Sequence, residues 1–164
     1  MTTPLSRRSR LSLLAALAPP IFVVHFLEEG HRFVPWFNAH VARGITPGLF
    51  WTVNLTGLVV TSLLALSVWA APSTGTGVMT FGWLSFLFAA NALFHVAGAA
   101  MDGAYMPGVV TAIALYLPFY AVFGRELRRA ERVRRSTLAL VGSLCAVPML
   151  VHGYLIVFRG SRLF

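Results

Sequence analysis

Residues 78–100 read VMTFGWLSFLFAANALFHVAGAA and contain no Asp, Glu, Lys or Arg. Folded as an α-helix with a rise of about 1.5 Å per residue, this stretch would be about 35 Å long. The hydrocarbon core of a bilayer is about 30 Å thick, and only helices and closed barrels satisfy their backbone hydrogen bonds inside it. The stretch is therefore predicted to be a transmembrane helix.

Four further apolar runs flank this stretch. Turn-forming residues separate them, such as the uncharged PSTGTG at 72–77 and the pair Asp102 and Gly103. The predicted spans cover residues 11–29, 49–71, 78–100, 107–123 and 138–158. The sequence thus predicts an all-α fold, an integral membrane bundle of five transmembrane helices that forms one domain over residues 1–164.

The composition excludes an ordinary soluble protein. Hydrophobic residues make up 57% of the 164 residues, and charged residues only 11%, whereas soluble domains carry about 25% charged residues. Five helices of about 20 residues would use most of the chain, which leaves no room for a second domain. The single cysteine, Cys145, cannot form an intrachain disulfide and gives no information about the compartment.

The distribution of charge predicts the direction of the helices. The formal net charge is +8, and all 13 basic residues are Arg. Nine of them precede the first span or lie in the Arg-rich loop 124–136, and five spans would place these nine on one side of the membrane. The positive-inside rule makes that side cytoplasmic. We therefore expect a cytoplasmic N-terminus, an external C-terminus, and an Arg-rich loop that contacts anionic lipid headgroups rather than nucleic acid.

Polar side chains within the spans are few, and a charged group at mid-helix costs about 2.5–3.5 kcal/mol. With the expected topology, all of them map to the outer half of the bilayer although they come from different helices. They are His25, Glu28, Glu29, Asn54, Asn91, His95, Thr111 and His152, with Tyr105 just before the fourth span. Their common depth predicts one shared site.

A metal centre would account for this set. His25 and Glu28 are three residues apart and share a helix face, a spacing typical of metal ligands in helix bundles. Glu29 would then be free to act as a general base. His95 and His152 would complete the ligands, and Zn²⁺ is the favoured ion.

Each residue also has a structural interpretation when it is taken alone. Glu28 and Glu29, followed by Gly30, would mark the aqueous end of the first helix. His95 would be a histidine hydrogen-bonded between helices, and Thr111 would bond to its own backbone. These interpretations do not account for the common depth.

Three short elements resemble a known family. Residues 25–29 read HFLEE, a His-x-x-Glu-Glu element; residues 91–95 read NALFH; and residues 105–111 read YMPGVVT. In this order they resemble the HXXEE domain family of bacterial membrane proteins. The resemblance implies a multi-span membrane domain with an expected enzymatic activity, and it supplies neither a substrate nor a cofactor. The functional residues that it implies are His25, Glu28, Glu29, Asn91, His95, Tyr105 and Thr111.

The expected function is that of an intramembrane metal-dependent hydrolase in the bacterial cytoplasmic membrane, acting on a lipid or another apolar substrate near the outer leaflet. A metal-free acid–base enzyme of the isomerase type is the first alternative, and a small proton- or ion-coupled transporter or binding module is the second. The expected metal ligands are His25, Glu28, His95 and His152. The expected catalytic residues are Glu29, Asn91, Tyr105 and Thr111.

Overall fold

The computed structural model describes residues 7–41 and 44–159, with side chains described over 10–41 and 44–154. The described chain is helical throughout, and five of its helices are long and apolar enough to cross a membrane. This confirms the predicted all-α bundle. The helices are α1 (Arg7–His40), α2 (Pro47–Ala70), α3 (Thr74–Asp102), α4 (Val109–Glu131) and α5 (Arg135–Arg159).

The first helix is longer than the predicted span 11–29. It continues to His40 across a break at Gly30, where φ is 41° and ψ is −134°. Beyond the break, Phe33 and Val34 are buried and pack in one cluster with Phe50 and Met106. Because these apolar side chains find partners on α2 and on the α3–α4 connection, the segment after Gly30 folds back onto the bundle rather than forming a loop.

The connections between the helices are short. The third helix begins at Thr74, four residues before the predicted start, because Ser73 and Thr76 form a reciprocal capping box at its N-terminus. In the Arg-rich segment, α4 continues to Glu131 and α5 begins at Arg135. Most of the predicted loop 124–136 is therefore helical. Arg43 and Arg162, which enter the predicted charge asymmetry, lie outside the described residues.

The core lies mainly between α1, α3 and α4. On α1 it is formed at helical spacing by Leu11, Ala15, Ala18, Phe22 and Phe26. Large apolar side chains also cover the outside of the bundle, among them Leu55, Leu63, Leu66, Leu140 and Leu144. Such extensive apolar exposure is typical of a surface that contacts lipid rather than water.

Two helices contain π-helical turns beside the polar residues. One covers Ser85–Ala90 in α3 and directly precedes Asn91; the other covers Ala112–Tyr116 in α4 and directly follows Thr111. Turns of this kind are rare and occur frequently at functional sites. In α4 the wide turn brings Thr111 and Tyr116, five residues apart, toward the same side of the helix.

Candidate functional site

Two histidines and one glutamate form a buried group that could hold a metal ion. His25 is 1% exposed, Glu29 4% and His95 0%. Glu29 Oε1 lies 3.7 Å from His25 Nε2 and 3.2 Å from His95 Nε2. One ligand atom from each residue lies within 4.8 Å of the others. A single ion could therefore contact all three side chains.

The helices position these three residues in a simple way. His25 and Glu29 are four residues apart on α1, so both point to the same side of that helix. His95 comes from α3, and its ring meets the His25 ring edge-on with centroids 4.9 Å apart. The α3–α4 connection covers the group at Gly108, where φ is 94°. A Cβ atom there would lie 2.6 Å from His95 Cε1 and 3.0 Å from Glu29 Cγ, so the backbone can approach this closely only as glycine.

Several buried polar atoms around this group have no hydrogen-bond partner. They are His25 Nε2, His95 Nδ1 and Nε2, Asn91 Oδ1 and the hydroxyl of Tyr116. Leaving a buried polar atom unpaired costs about 1–3 kcal/mol, and such atoms are rare in folded proteins. Their concentration at one place indicates a site that binds an ion or a polar ligand.

Tyr116 is the site residue that sequence analysis missed. Its side chain is fully buried, and its ring centroid lies 4.2 Å from that of His25 and 3.9 Å from that of Phe88. In the sequence Tyr116 lies among apolar residues, where a tyrosine is normally interpreted as an aromatic residue of the core. The signal available was its polar hydroxyl within a membrane span, five residues after Thr111.

Glu28 faces a different set of partners from Glu29. Its carboxylate accepts hydrogen bonds from the Tyr105 hydroxyl (2.7 Å), the Val110 amide (3.2 Å), the Thr111 amide (2.8 Å) and the Thr111 hydroxyl (2.5 Å). The carboxylate thus caps the N-terminus of α4, where backbone N–H groups favour an anion. The expectation that Glu28 is the metal ligand and Glu29 the free base does not fit this geometry.

Tyr105, in the loop before α4, also forms a hydrogen bond with Glu28. Partial burial of Tyr105 and its hydrogen bond to Glu28 raise the pKa of the phenol. The hydroxyl therefore stays protonated and donates to the carboxylate. Tyr105 and Thr111, expected as catalytic residues, both hold Glu28 in place.

Thr111 also connects Glu28 with the metal-capable group. Its hydroxyl oxygen lies 2.8 Å from His25 Nδ1. The side chain of Asn91 lies beside His25 as well. The predicted residues His25, Glu28, Glu29, Asn91, His95, Tyr105 and Thr111 are thus brought together around one imidazole.

Two predicted residues are placed elsewhere. His152 is half-buried on α5 and is not part of the metal-capable group, so the structure does not support it as a ligand. Asn54 donates a hydrogen bond to the carbonyl of Phe50 in its own helix. Neither residue is part of the His25–Glu29–His95 group.

No curated protein and no solved structure matches the chain. The model of one family, described as a protein of unknown function with HXXEE motif, matches residues 16–123. The matched region includes the three elements that carry the resemblance seen in the sequence, together with every residue of the His25–Glu29–His95 group and its Glu28 neighbour. The chain therefore belongs to the HXXEE family.

Proposed function

We propose that the protein is an intramembrane metal-dependent enzyme of the hydrolase type, with a divalent ion held by His25, Glu29 and His95. The observation that carries the proposal is the convergence of two unpaired imidazole nitrogens and one carboxylate oxygen at a buried point. Two histidines and one glutamate are a ligand set of catalytic zinc sites, in which the fourth position stays open, so Zn²⁺ is the favoured ion. When bound, the ion would supply a Lewis acid and a means of activating water at neutral pH.

The chain's own residues would position a substrate at this point. The Tyr116 hydroxyl has no hydrogen-bond partner among the described residues and can donate a hydrogen bond to negative charge that develops on a substrate. Asn91 lies beside His25, and its amide could bind a polar group of the substrate. Glu28, Tyr105 and Thr111 would support His25 without contacting the ion, because their hydrogen bonds are made with each other and with His25.

A lipid or another membrane-borne molecule is the proposed substrate class. The site lies inside a bundle whose outer surface is apolar, so a substrate dissolved in the bilayer would reach it more readily than a solute in water. The site lies near the ends of α3 and α4 that are opposite the Arg-rich ends. With the Arg-rich ends on anionic headgroups at the cytoplasmic face, as the positive-inside rule predicts, the site would be nearer the outer leaflet of a bacterial cytoplasmic membrane.

A metal-free acid–base enzyme acting on a lipid is the second candidate. One contact favours it: His95 Nε2 and Glu29 Oε1 are only 3.2 Å apart. A small rotation of either side chain would align them for proton transfer. In that case His95 and Glu29 would move a proton within the substrate, as in an isomerase.

Metal analysis separates the two candidates. We expect the purified protein in lipid nanodiscs to carry about one zinc ion per chain by plasma mass spectrometry, and His25→Ala or His95→Ala to lose it. His152→Ala is the matched control, since it removes a histidine outside the group, and should keep the zinc. An apo protein that converts lipids in a mass-spectrometric panel as fast as the zinc-loaded protein would favour the metal-free candidate. Zinc retained in both ligand variants would reject the proposed site.

A further inference from the structure

We infer that Glu28, acting through the hydroxyl of Thr111, fixes the proton of His25 on Nδ1 and leaves Nε2 unprotonated toward Glu29 and His95. Glu28 and Thr111 are then positioning residues, which orient the ring and select its tautomer without touching the substrate. The consequence for metal affinity rests on the proposed function, whereas the position of the proton does not.

The Glu28 carboxylate lies among four hydrogen-bonding groups. Two of its four partners are the backbone amides of Val110 and Thr111, which can only donate. The hydroxyl of Tyr105 donates a hydrogen bond to Oε1. The hydroxyl of Thr111 contacts Oε2. Three donors, two of them backbone N–H groups, favour the ionised form of this carboxylate, whose remaining lone pair faces the Thr111 hydroxyl. Glu28 therefore accepts at every contact.

The second step concerns the single proton of the Thr111 hydroxyl. The contact of 2.5 Å with Glu28 Oε2 requires this proton, because the carboxylate has none to give. The carbonyl of Gly108, at 3.3 Å from the same hydroxyl, is a longer contact. In neither case does the proton point at His25. The Thr111 oxygen therefore meets His25 Nδ1 as an acceptor.

The tautomer of the His25 imidazole follows from its contact with this accepting oxygen. A contact of 2.8 Å between Nδ1 and an accepting oxygen requires a proton on Nδ1. Burial of the His25 ring, which is 1% exposed, favours the neutral imidazole. A neutral imidazole carries only one N–H, so Nε2 then presents a lone pair. This atom is the buried, unpaired nitrogen of the ring, and it lies 3.7 Å from Glu29 Oε1. Two electron-pair donors face each other there, an arrangement that a cation between them would stabilise.

The hydrogen-bonded path from His25 through Thr111 to Glu28, called the relay below, also gives the two adjacent glutamates separate roles. Consecutive helical residues point about 100° apart. Glu28 can therefore bind the start of α4 while Glu29 faces His25 and His95. Metal-binding histidines commonly donate their second N–H to an oxygen that fixes the ring, and loss of that partner typically costs 10- to 100-fold in metal affinity. The path from His25 through Thr111 to Glu28 provides this support.

Nitrogen NMR of the metal-free protein tests the inference directly. In protein labelled with ¹⁵N-histidine, with the His25 signals identified by their loss in His25→Ala, we expect a pyrrole-type Nδ1 and a pyridine-type Nε2. Thr111→Ser should preserve this tautomer because it retains the hydroxyl. Thr111→Val should shift His25 toward the opposite tautomer or a mixture. Thr52→Val is the matched control, since Thr52 bonds only to a carbonyl of its own helix.

The wild-type spectrum alone can overturn the inference. A proton on Nε2 of His25 in the wild type would do so, even if Thr111→Val failed to fold. An unchanged Nδ1–H tautomer in a folded Thr111→Val protein would equally show that the relay does not set it.

Zinc competition with a chelator gives the second readout. We expect Thr111→Val to weaken zinc binding by about 10- to 100-fold, and Thr111→Ser and Thr52→Val to change it by less than about threefold. A wild type with the expected tautomer that binds no zinc would contradict the proposed function and leave the relay standing. Equal zinc affinity in the wild type and Thr111→Val would remove the proposed role of the relay while leaving the metal site intact.

Discussion

Glu28 and Glu29 are neighbours in the chain with opposite surroundings, which gives them different roles. Glu28 is surrounded by hydrogen-bond donors from the start of α4. Glu29 is 4% exposed and faces two imidazoles without a well-aligned hydrogen bond. The Glu28 carboxylate thus joins two helices, and the Glu29 carboxylate remains available to an ion.

Replacement of each glutamate by glutamine should therefore affect metal binding and stability to different degrees. Glu29→Gln should lose bound zinc, since the amide is a poor replacement for the anionic donor, while the fold persists. Glu28→Gln should lower the free energy of unfolding by about 1–3 kcal/mol because charge-assisted hydrogen bonds are lost. Metal analysis together with thermal unfolding in detergent checks both. A larger loss of zinc in Glu28→Gln than in Glu29→Gln would reverse the assignment.

Tyr116→Phe tests whether the unpaired hydroxyl serves the reaction. Because the hydroxyl has no hydrogen-bond partner in the part of the chain that the structure describes, its removal should leave thermal stability unchanged or slightly raised. Turnover of a lipid substrate found in the panel should fall by about 10²-fold if the hydroxyl stabilises developing charge. Tyr120→Phe is the control: that hydroxyl pairs with Ser85 at 2.9 Å, so stability should fall while turnover remains.

Gly108→Ala should damage the site beyond the cost of its backbone conformation. The added Cβ would lie 2.6 Å from His95 Cε1, and the positive φ adds about 1–2 kcal/mol of strain. Gly103→Ala carries a similar strain, with φ of 65°, but nothing lies within 4 Å of its Cβ. Both variants should therefore melt at lower temperature, and only Gly108→Ala should also lose zinc. Equal zinc content in the two variants would contradict the close packing of the backbone over the site.

At the scale of helices, departures from regular geometry surround the site. Glu29 immediately precedes the break of α1 at Gly30, and π-helical turns flank Asn91 on α3 and Thr111 on α4. Each departure alters the direction of the side chains next to it. The site thus lies where three helices depart from regular α-helical geometry.

The break in α1 gives a prediction for this scale. Gly30→Ala places a side chain at φ 41° and ψ −134°, where nothing lies within 4 Å but the backbone is strained. We expect the free energy of unfolding to fall by about 1–3 kcal/mol. Gly48→Ala, at the regular start of α2, should be neutral or stabilising. Thermal unfolding checks this. A lower unfolding temperature for Gly48→Ala than for Gly30→Ala would contradict the strained conformation at Gly30.

At the scale of the whole molecule, apolar side chains surround the bundle and charge is concentrated at one end. Exposed leucines lie on several helices, while the ends of α4 and α5 carry Arg125, Arg129 and Arg135. For a bundle of this kind in a bilayer, the positive-inside rule leads us to expect the Arg-rich end on the cytoplasmic side.

Cysteine labelling tests that orientation. In a Cys145→Ser background, a membrane-impermeant maleimide should label Ala39→Cys in intact cells, and Arg129→Cys only after permeabilisation. Both positions are exposed in the structure, so lack of labelling would reflect the membrane rather than burial. The opposite pattern would place the N-terminus outside, and with it the site near the inner leaflet.

The sequence by itself determined the bundle of five helices that are long and apolar enough to cross a membrane, since runs of about 20 apolar residues satisfy their backbone in lipid only as helices. Local spacing also selected His25, Glu29, Asn91 and His95 as site residues. The tertiary structure decided which glutamate faces the histidines, that His152 lies apart and that Tyr116 belongs to the site. These outcomes depend on helix rotation, on the break at Gly30 and on two π-helical turns. Packing between helices distant in sequence sets those features, and residue spacing within one helix does not encode them.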